Sequence, residues 1–576
     1  MTIANILAGF SHSALAVDGL TAPFNPPEQK AKEPLCSSGN TFIVDSVADY
    51  PDTNPGDGYC ADDLGRCTLR AAIQEANLIT GKDTIAFGIP GSGPHTIRPD
   101  SALPTIADPV IIDGYTQSGS RPNSAAAKSG LNTLLKIELD GSNLEGAAAV
   151  TRSGLHITSG NSTVRGLVIN RCCSAIVMNG NGNNIVEGNF LGTDVAGMVA
   201  LSNFTGVTTY NYPDNNVIGG STAASRNLIS GNELGIELNG GSNNVIRGNL
   251  IGTNKQGEGD LGHDRYSIRL NGSGYNLIAD NVVANSRTGG IILWEHSPGN
   301  VIRDNIVKAN QEQDGIAIIG PDVSDNQIIS NEVTANDRNG ILLSNIESFT
   351  VDNNIITSNG GDGLRLIDTW NGHIAGNLIG TDASGASLGN SGHGVLMIES
   401  SQTQVGDSEN TIAFNGKSGI TLELGTGNTL HRNKLYQNRE LGIDLEGDGV
   451  TANDLGDVDV GPNQLQNFPV LTYATTMNTT ITGTIQSAAY VTYKLHFFTN
   501  RVCDSSRHGE GENYLGQLQV TTGSDGRADF VATFPDTTPT GSIVTSLATD
   551  LLNNTSEFSN CIFFDQRDIY LPVILS

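Results

Sequence analysis

The chain is short of positive charge, of aromatic rings and of long apolar runs. Only 31 Lys and Arg stand against 60 Asp and Glu, leaving a net charge of -29. Nucleic acid and anionic membrane surfaces would be repelled by such a field, which excludes them as natural partners. An acidic polysaccharide meets the same repulsion unless cations screen it. No stretch approaches the 18 apolar residues a spanning helix needs, and the terminal "IYLPVILS" is far too short. The first residues, "MTIANILAGFSHSALAVDG", lack a basic start and a strong apolar core, so an export signal is expected to be missing or atypical. There is neither a C-x-x-C pair nor a His-rich tract, hence no zinc signature. The seven cysteines are too few for a disulfide scaffold. Cys60 with Cys67, and Cys503 with Cys561, suggest two local bridges and an oxidising compartment. The adjacent Cys172 and Cys173 are expected to be buried as small apolar side chains.

Glycine, at 70 residues, is abundant and periodic. From about Gly154 a phrase recurs: Asn, x, Ile or Val, two residues, Asn, x, Ile or Val, then Asn and Gly-Ile-x-Leu. "NVIRDNIVKANQEQDGIAI", "NQIISNEVTANDRNGILL" and "FTVDNNIITSNGGDGLRL" show the register. The Gly-Ile anchors at 290, 315, 340 and 363 lie 25, 25 and 23 residues apart. Two longer intervals carry mutually similar insertions, "IGTNKQGEGDLGHDRYSI" and "IGTDASGASLGNSGHGV". Three short alternating strands per coil predict a right-handed parallel β-helix. Ile246, Ile278, Ile302, Ile328, Val351, Ile374 and Leu430 form one inward column, and Val283, Val307, Val333, Ile356, Ile379 and Leu435 a second. Asn249, Asn281, Asn305, Asn331, Asn354, Asn377 and Asn433 recur at one turn, where stacked amides would bond along the axis.

Such a stack needs lids. "TLRAAIQEANLITG" places Leu69, Ala72, Ile73 and Ala76 on one helical face and predicts an N-terminal cap. "CTLRAAIQEAN", followed by "IPGSGPHTIRPDSALPTIADPVIIDGYTQSGS", resembles the N-terminal module of bacterial secreted β-helix proteins of the pectin-lyase-like superfamily. Their Cys-Ser-Leu-Arg-Glu-Ala signature is altered here to Cys67-Thr68-Leu69-Arg70-Ala71-Ala72. "LGIDLEGDGVTANDLGDVDVGPNQLQNFPVL" is similar to their closing segment. After Phe468 the Asn/Gly period gives way to alternating strands with Thr-rich turns, which predict an antiparallel β-sandwich of immunoglobulin type. The expected layout is a tail (1–35), a capping module with the first coils (36–150), the β-helix (151–467), the sandwich (468–564) and an apolar tail (565–576). The fold class is all-β.

Chemistry is expected on the outward side of the Gly-Ile-x-Leu strand. One column reads Glu237, Arg269, Ile292, Ala317, Leu342, Arg365, Leu396, and the next reads Asn239, Asn271, Trp294, Ile319, Ser344, Ile367, Ile398. Their middle is an apolar stripe, suiting either subunit association into a homo-oligomer or packing by loops. Just before each Gly stand Asp314, Asn339, Asp362 and His393. At about 4.8 Å per coil, Asp314 and Asp362 would lie roughly 10 Å apart, near the spacing of inverting glycoside hydrolases. Arg365 could lower a carboxyl's pKa or hold an anion. His393 sits in "SGHG", similar to the Gly-His-Gly of β-helical pectin hydrolases, whose other motifs are absent. Asp and Asn before Gly are equally ordinary turn formers. Trp294 and Trp370, the two tryptophans, follow corresponding strands and would lie roughly 14 Å apart along the axis. They are candidate sugar platforms, with Glu295, His296, Asp368, Arg365 and Arg269 as polar contacts. Asp444, Asp448, Asp454, Asp457 and Asp459 crowd one acidic segment and suggest structural Ca²⁺. These features point to a secreted or surface-displayed protein that binds a polysaccharide or cell-surface glycan. Cleavage would be by a glycoside hydrolase rather than a lyase; the alternative is a non-catalytic adhesin or assembly subunit.

Overall fold

The computed structural model describes residues 39–144, 152–476, 479–535 and 541–564. The expected tails, 1–35 and 565–576, lie outside the described residues. Short strands stack in parallel register into three faces, forming a parallel β-helix. The first face starts with Thr41–Val44 and Asp83–Phe87 and continues through strands such as Val245–Arg247 and Val301–Arg303. The second is a continuous 13-stranded sheet from His95–Ile97 to Lys434–Tyr436. The third runs from Leu155–Ile157 to Ile443–Leu445 and carries the Gly-Ile-x-Leu strands. Two 12-residue strands, Ile341–Asp352 and Leu364–Ala375, continue from the third face into the first. The predicted inward columns are in register and wholly buried: Ile278 pairs with Ile302, and Val307 with Val333.

Each corner needs its backbone polar groups satisfied away from water. The predicted amide ladder does this. Asn249, Asn281, Asn305, Asn331, Asn354, Asn377, Asn410 and Asn433 pass Nδ2–H···Oδ1 bonds of 2.9–3.0 Å from coil to coil. From Asn281 to Asn410 each Oδ1 also accepts a backbone N–H from the coil before it, as Asn305 does from Asn281. The other two corners hold ladders of their own. One runs through Asn184, Asn216, Asn244, Asn276 and Asn300, the other through Asn310, Asn336, Asn359, Asn390, Asn415 and Asn438.

Helix α1 (Leu69–Ala76) is inserted between the first two strands of the first face. Thr68 caps it by accepting the Ala71 N–H. Leu69, Ala72, Ile73 and Ala76 enter the same apolar core as Ile85, as their spacing requires. The Cys60–Cys67 disulfide closes the loop before the helix.

At the other end stand two antiparallel sheets, of three and four strands, between Val470 and Phe563. They share a core that includes Leu471, Ile481, Leu495, Phe497, Phe530 and Val544, and the Cys503–Cys561 disulfide lies at their edge. This sandwich is itself the second lid. Glu510 accepts the backbone and side-chain N–H of Asn438, both at 3.0 Å, and so takes the place of the next ladder amide. Leu435 and Gly511 exchange backbone bonds of 2.9 and 3.1 Å. Thr555 accepts the Leu430 N–H and Glu557 that of Leu445. Phe498, Leu547 and Phe558 are buried in the core of the helix rather than that of the sandwich.

Candidate functional site

The third face aligns the two outward columns as their spacing predicts. Glu237, Arg269, Ile292, Ala317, Leu342, Arg365 and Leu396 lie side by side, and so do Asn239, Asn271, Trp294, Ile319, Ser344, Ile367 and Ile398. The apolar stripe is partly sheltered. Ile292, Ala317 and Leu396 are each no more than 6% exposed, whereas Ile319, Leu342, Ile367 and Ile398 are half-buried. Tyr266 and Trp294 flank Ile292 and Ala317 in one hollow.

The column before each Gly forms a further ladder. Asp314 Oδ1 accepts the Asn339 backbone and side-chain N–H at 3.0 and 2.7 Å. Asn339 Oδ1 accepts from the Asp362 N–H at 2.9 Å, and Asp362 Oδ1 from the His393 N–H at 2.8 Å. Asp362 also binds Arg365 at 3.1 Å, and His393 Nδ1 lies 2.8 Å from the Thr421 hydroxyl. The ladder therefore engages Asp314 and Asp362 through side-chain oxygens and His393 through its backbone N–H, while Arg365 is held by its ion pair with Asp362. Burial pushes the Asp314 carboxyl above the usual range and the His393 imidazole below it, the latter partly countered by Asp362. Asp314 differs from Asp362 in one respect: it lines a cavity of about 200 Å³ together with Tyr266, Ile292, Trp294, Ala317 and Ile319.

Trp294 lines that apolar cavity. Its neighbours Asn271 and Glu295 help to wall a second, wider cleft of about 540 Å³ together with Tyr210, Tyr212, Asn239 and His296. Arg269 pairs with Glu237 at 3.5 Å and sits 6.0 Å from the centre of the Trp294 ring. Glu295 and His296 are both exposed, but His296 Nε2 faces Asp322 at 3.4 Å rather than its neighbour. Trp370 is not the counterpart of Trp294. In that column its coil supplies Ile367, while Trp370 stands three residues further on, paired with Glu347 beside exposed Asp368. Counting two residues on from the Thr208–Glu237 pair, the aromatic at the position of Trp294 is Tyr210, three coils toward the N-terminus by way of Asn239 and Asn271, although the Asn239 N–H there bonds the Thr209 hydroxyl. At about 4.8 Å per coil the two rings are separated by roughly 14 Å along the axis. "TGVTTYNY" could have disclosed Tyr210 had its Thr-Gly-Val been aligned with the later Gly-Ile anchors.

The acidic segment separates into two groups. Asp454, Asp457 and Asp459 bring carboxylate oxygens within 4.8 Å of one another, the one such grouping of three or more metal-competent residues among the described residues. Burial, and then repulsion within the group, raises the Asp457 and Asp459 carboxyls, and one oxygen of Asp459 is buried without a hydrogen-bond partner. Asp444 and Asp448 lie apart from it, lining a cavity with Glu440 and Asp504.

A three-faced coil of parallel strands is a right-handed parallel β-helix. The family model described as a right-handed β-helix region matches residues 339–494, and that of NosD, a periplasmic copper-binding protein, matches residues 258–384. Among solved structures, the A-module of the Azotobacter vinelandii mannuronan C-5 epimerase AlgE4 is 16% identical over 67% of this chain and 95% of its own, with a TM-score of 0.36. The periplasmic alginate epimerase AlgG is 13% identical over 60% and 78%, with a TM-score of 0.32. A tailspike protein of Escherichia coli bacteriophage HK620, in complex with a hexasaccharide, is 14% identical over 85% and 91%, with a TM-score of 0.42. A search of curated proteins gives no match to the chain.

Proposed function

We propose that this protein binds a polysaccharide chain along the outer third face, from Tyr210 past Trp294 to Ile319, in an extracellular or periplasmic setting. The observation that carries this reading is Trp294, which lines the apolar cavity and whose neighbours Asn271 and Glu295 wall an amide-lined cleft that also holds Tyr210. Flat rings stack on sugar faces while amides and acids take the hydroxyls, the balance a glycan site requires. Two disulfides suit an oxidising compartment. The net charge of -29 favours a neutral glycan, or an acidic one bridged by cations. Calorimetric titration with a polysaccharide panel tests the proposal: Trp294→Ala should weaken binding about tenfold or more, and Trp370→Ala should leave it unchanged. Equal effects of the two substitutions would refute it.

Cleavage is the second reading, favoured by one observation. Asp314 is the carboxyl that lines the cavity beside Trp294, and burial keeps its proton on at higher pH, as a general acid requires. Release of reducing ends that is lost in Asp314→Asn while binding persists would support a glycoside hydrolase. Binding with no cleavage would mark the protein as an adhesin or assembly subunit. For Asp454, Asp457 and Asp459 we propose structural Ca²⁺, the hard cation that all-oxygen ligands select. A rise in Tm on adding Ca²⁺, absent in Asp457→Asn, is the expected result. Copper does not fit: it favours imidazole and sulfur. Within 258–384, His263 bonds backbone, while His296 and His373 face Asp322 and Asp352 separately.

A further inference from the structure

The last coil of the β-helix and the sandwich that closes it meet at two histidines. His431 lies at the corner after Leu430, and His496 lies on the strand Thr492–Asn500 of the sandwich. Their rings stack with centroids 4.4 Å apart and planes 20° from parallel. Both are buried, at 8% and 0% exposure. Neither His431 Nδ1 nor His496 Nε2 has a hydrogen-bond partner, so a proton on either nitrogen would find no acceptor at bonding distance. The groups that face the pair are mostly unfavourable to a positive charge. Arg432 and Lys494 are cations, and the Tyr514 hydroxyl is 3.3 Å from His496 Nδ1. Asp407, 3.7 Å from His431 Nδ1, is the one carboxylate that opposes them.

We propose that this stacked pair is an acid-sensitive latch that holds the sandwich onto the terminal coils while both imidazoles are neutral and releases it when they are protonated. Two imidazolium ions at this distance, beside Arg432 and Lys494, would repel, and Asp407 can compensate only one. Burial depresses both groups, His496 to about 3. The sign follows from linkage. An opened junction takes up protons as pH falls below the ordinary imidazole value of about 6.5, whereas the closed one resists, so closure is complete above that pH and lost below it. The bonds at stake are those from Leu430 to Thr555 and between Leu435 and Gly511.

Amide hydrogen exchange of the full chain, corrected for intrinsic rates, tests this at pH 7 and pH 5. The Leu430 and Leu435 amides should lose at least about tenfold in protection at pH 5, while Asn281 and Asn305, mid-stack ladder amides, hold theirs. In the double variant His431→Phe, His496→Phe the acid-induced loss should vanish, because the rings still stack and neither can titrate. Should that variant not fold, His496→Phe alone should show a smaller loss than the wild type. Unchanged wild-type protection between the two pH values would overturn the proposal without any variant, as would an equal loss in wild type and variant.

Discussion

The third face carries two columns that both interrupt the apolar repeat, and they behave differently. In the column before Gly, the side-chain oxygens of Asp314, Asn339 and Asp362 each accept from the next coil. In the column of Trp294, the side chains of Tyr210, Asn271 and Trp294 line hollows open to solvent. A polar residue at a β-helix turn is thus spoken for by its axial neighbour unless it has an atom to spare. Asp314, which borders the cavity, is where the two columns touch.

The largest expected effect comes from breaking a ladder. Asn305→Ala removes an amide that serves Asn281, Asn331 and the Ile278 carbonyl, leaving buried groups unpaired. At about 1–3 kcal/mol for each unsatisfied group, thermal unfolding should shift down by several degrees. Asp362→Asn should cost much less, since an amide oxygen can still accept the His393 N–H. A shift as large as that of Asn305→Ala would mean the Arg365 ion pair, not the ladder, dominates that column. The reverse contrast holds for binding, where Trp294→Ala should matter and Asn305→Ala should not, in any preparation that remains folded. The smallest effect concerns Glu510, the sandwich residue that completes a ladder. Burial raises its carboxyl to about 7 from the ordinary glutamate range, so its contribution is full at acid pH and fades as pH rises through about 7. Glu510→Gln should flatten the decline in Tm between about pH 5 and pH 7; an unchanged slope would assign the decline to other groups.

Much of this was legible because a coil repeats. The Gly-Ile anchors fixed the outward columns residue for residue, and the inward ones wherever a coil was counted. Val405 stands beside Ile374 in the first inward column, yet "TQVGDS" hides it by lacking the Asn-x-Ile phrase. One amide ladder was visible and two were not, because Asn276 and Asn310 stand at corners whose spacing varies with the insertions. The Trp294–Trp370 pairing failed for a geometric reason: Leu364–Ala375 runs on into the first face, so a residue three positions later is no longer in the same column. The sandwich as lid was beyond reach, because Glu510 and Asn438, like Asn554 and Gly427, are joined by folding alone, across 72 and 127 residues.

The central claim is that Tyr210 and Trp294 act on one glycan chain laid along the axis. Binding of an oligosaccharide series of increasing length to wild type, Tyr210→Ala and Trp294→Ala tests it most directly. The account predicts that Trp294→Ala weakens every member, whereas Tyr210→Ala weakens only those long enough to span the roughly 14 Å between the rings. Losses from Tyr210→Ala that are the same at every length, or absent at all lengths, would contradict it.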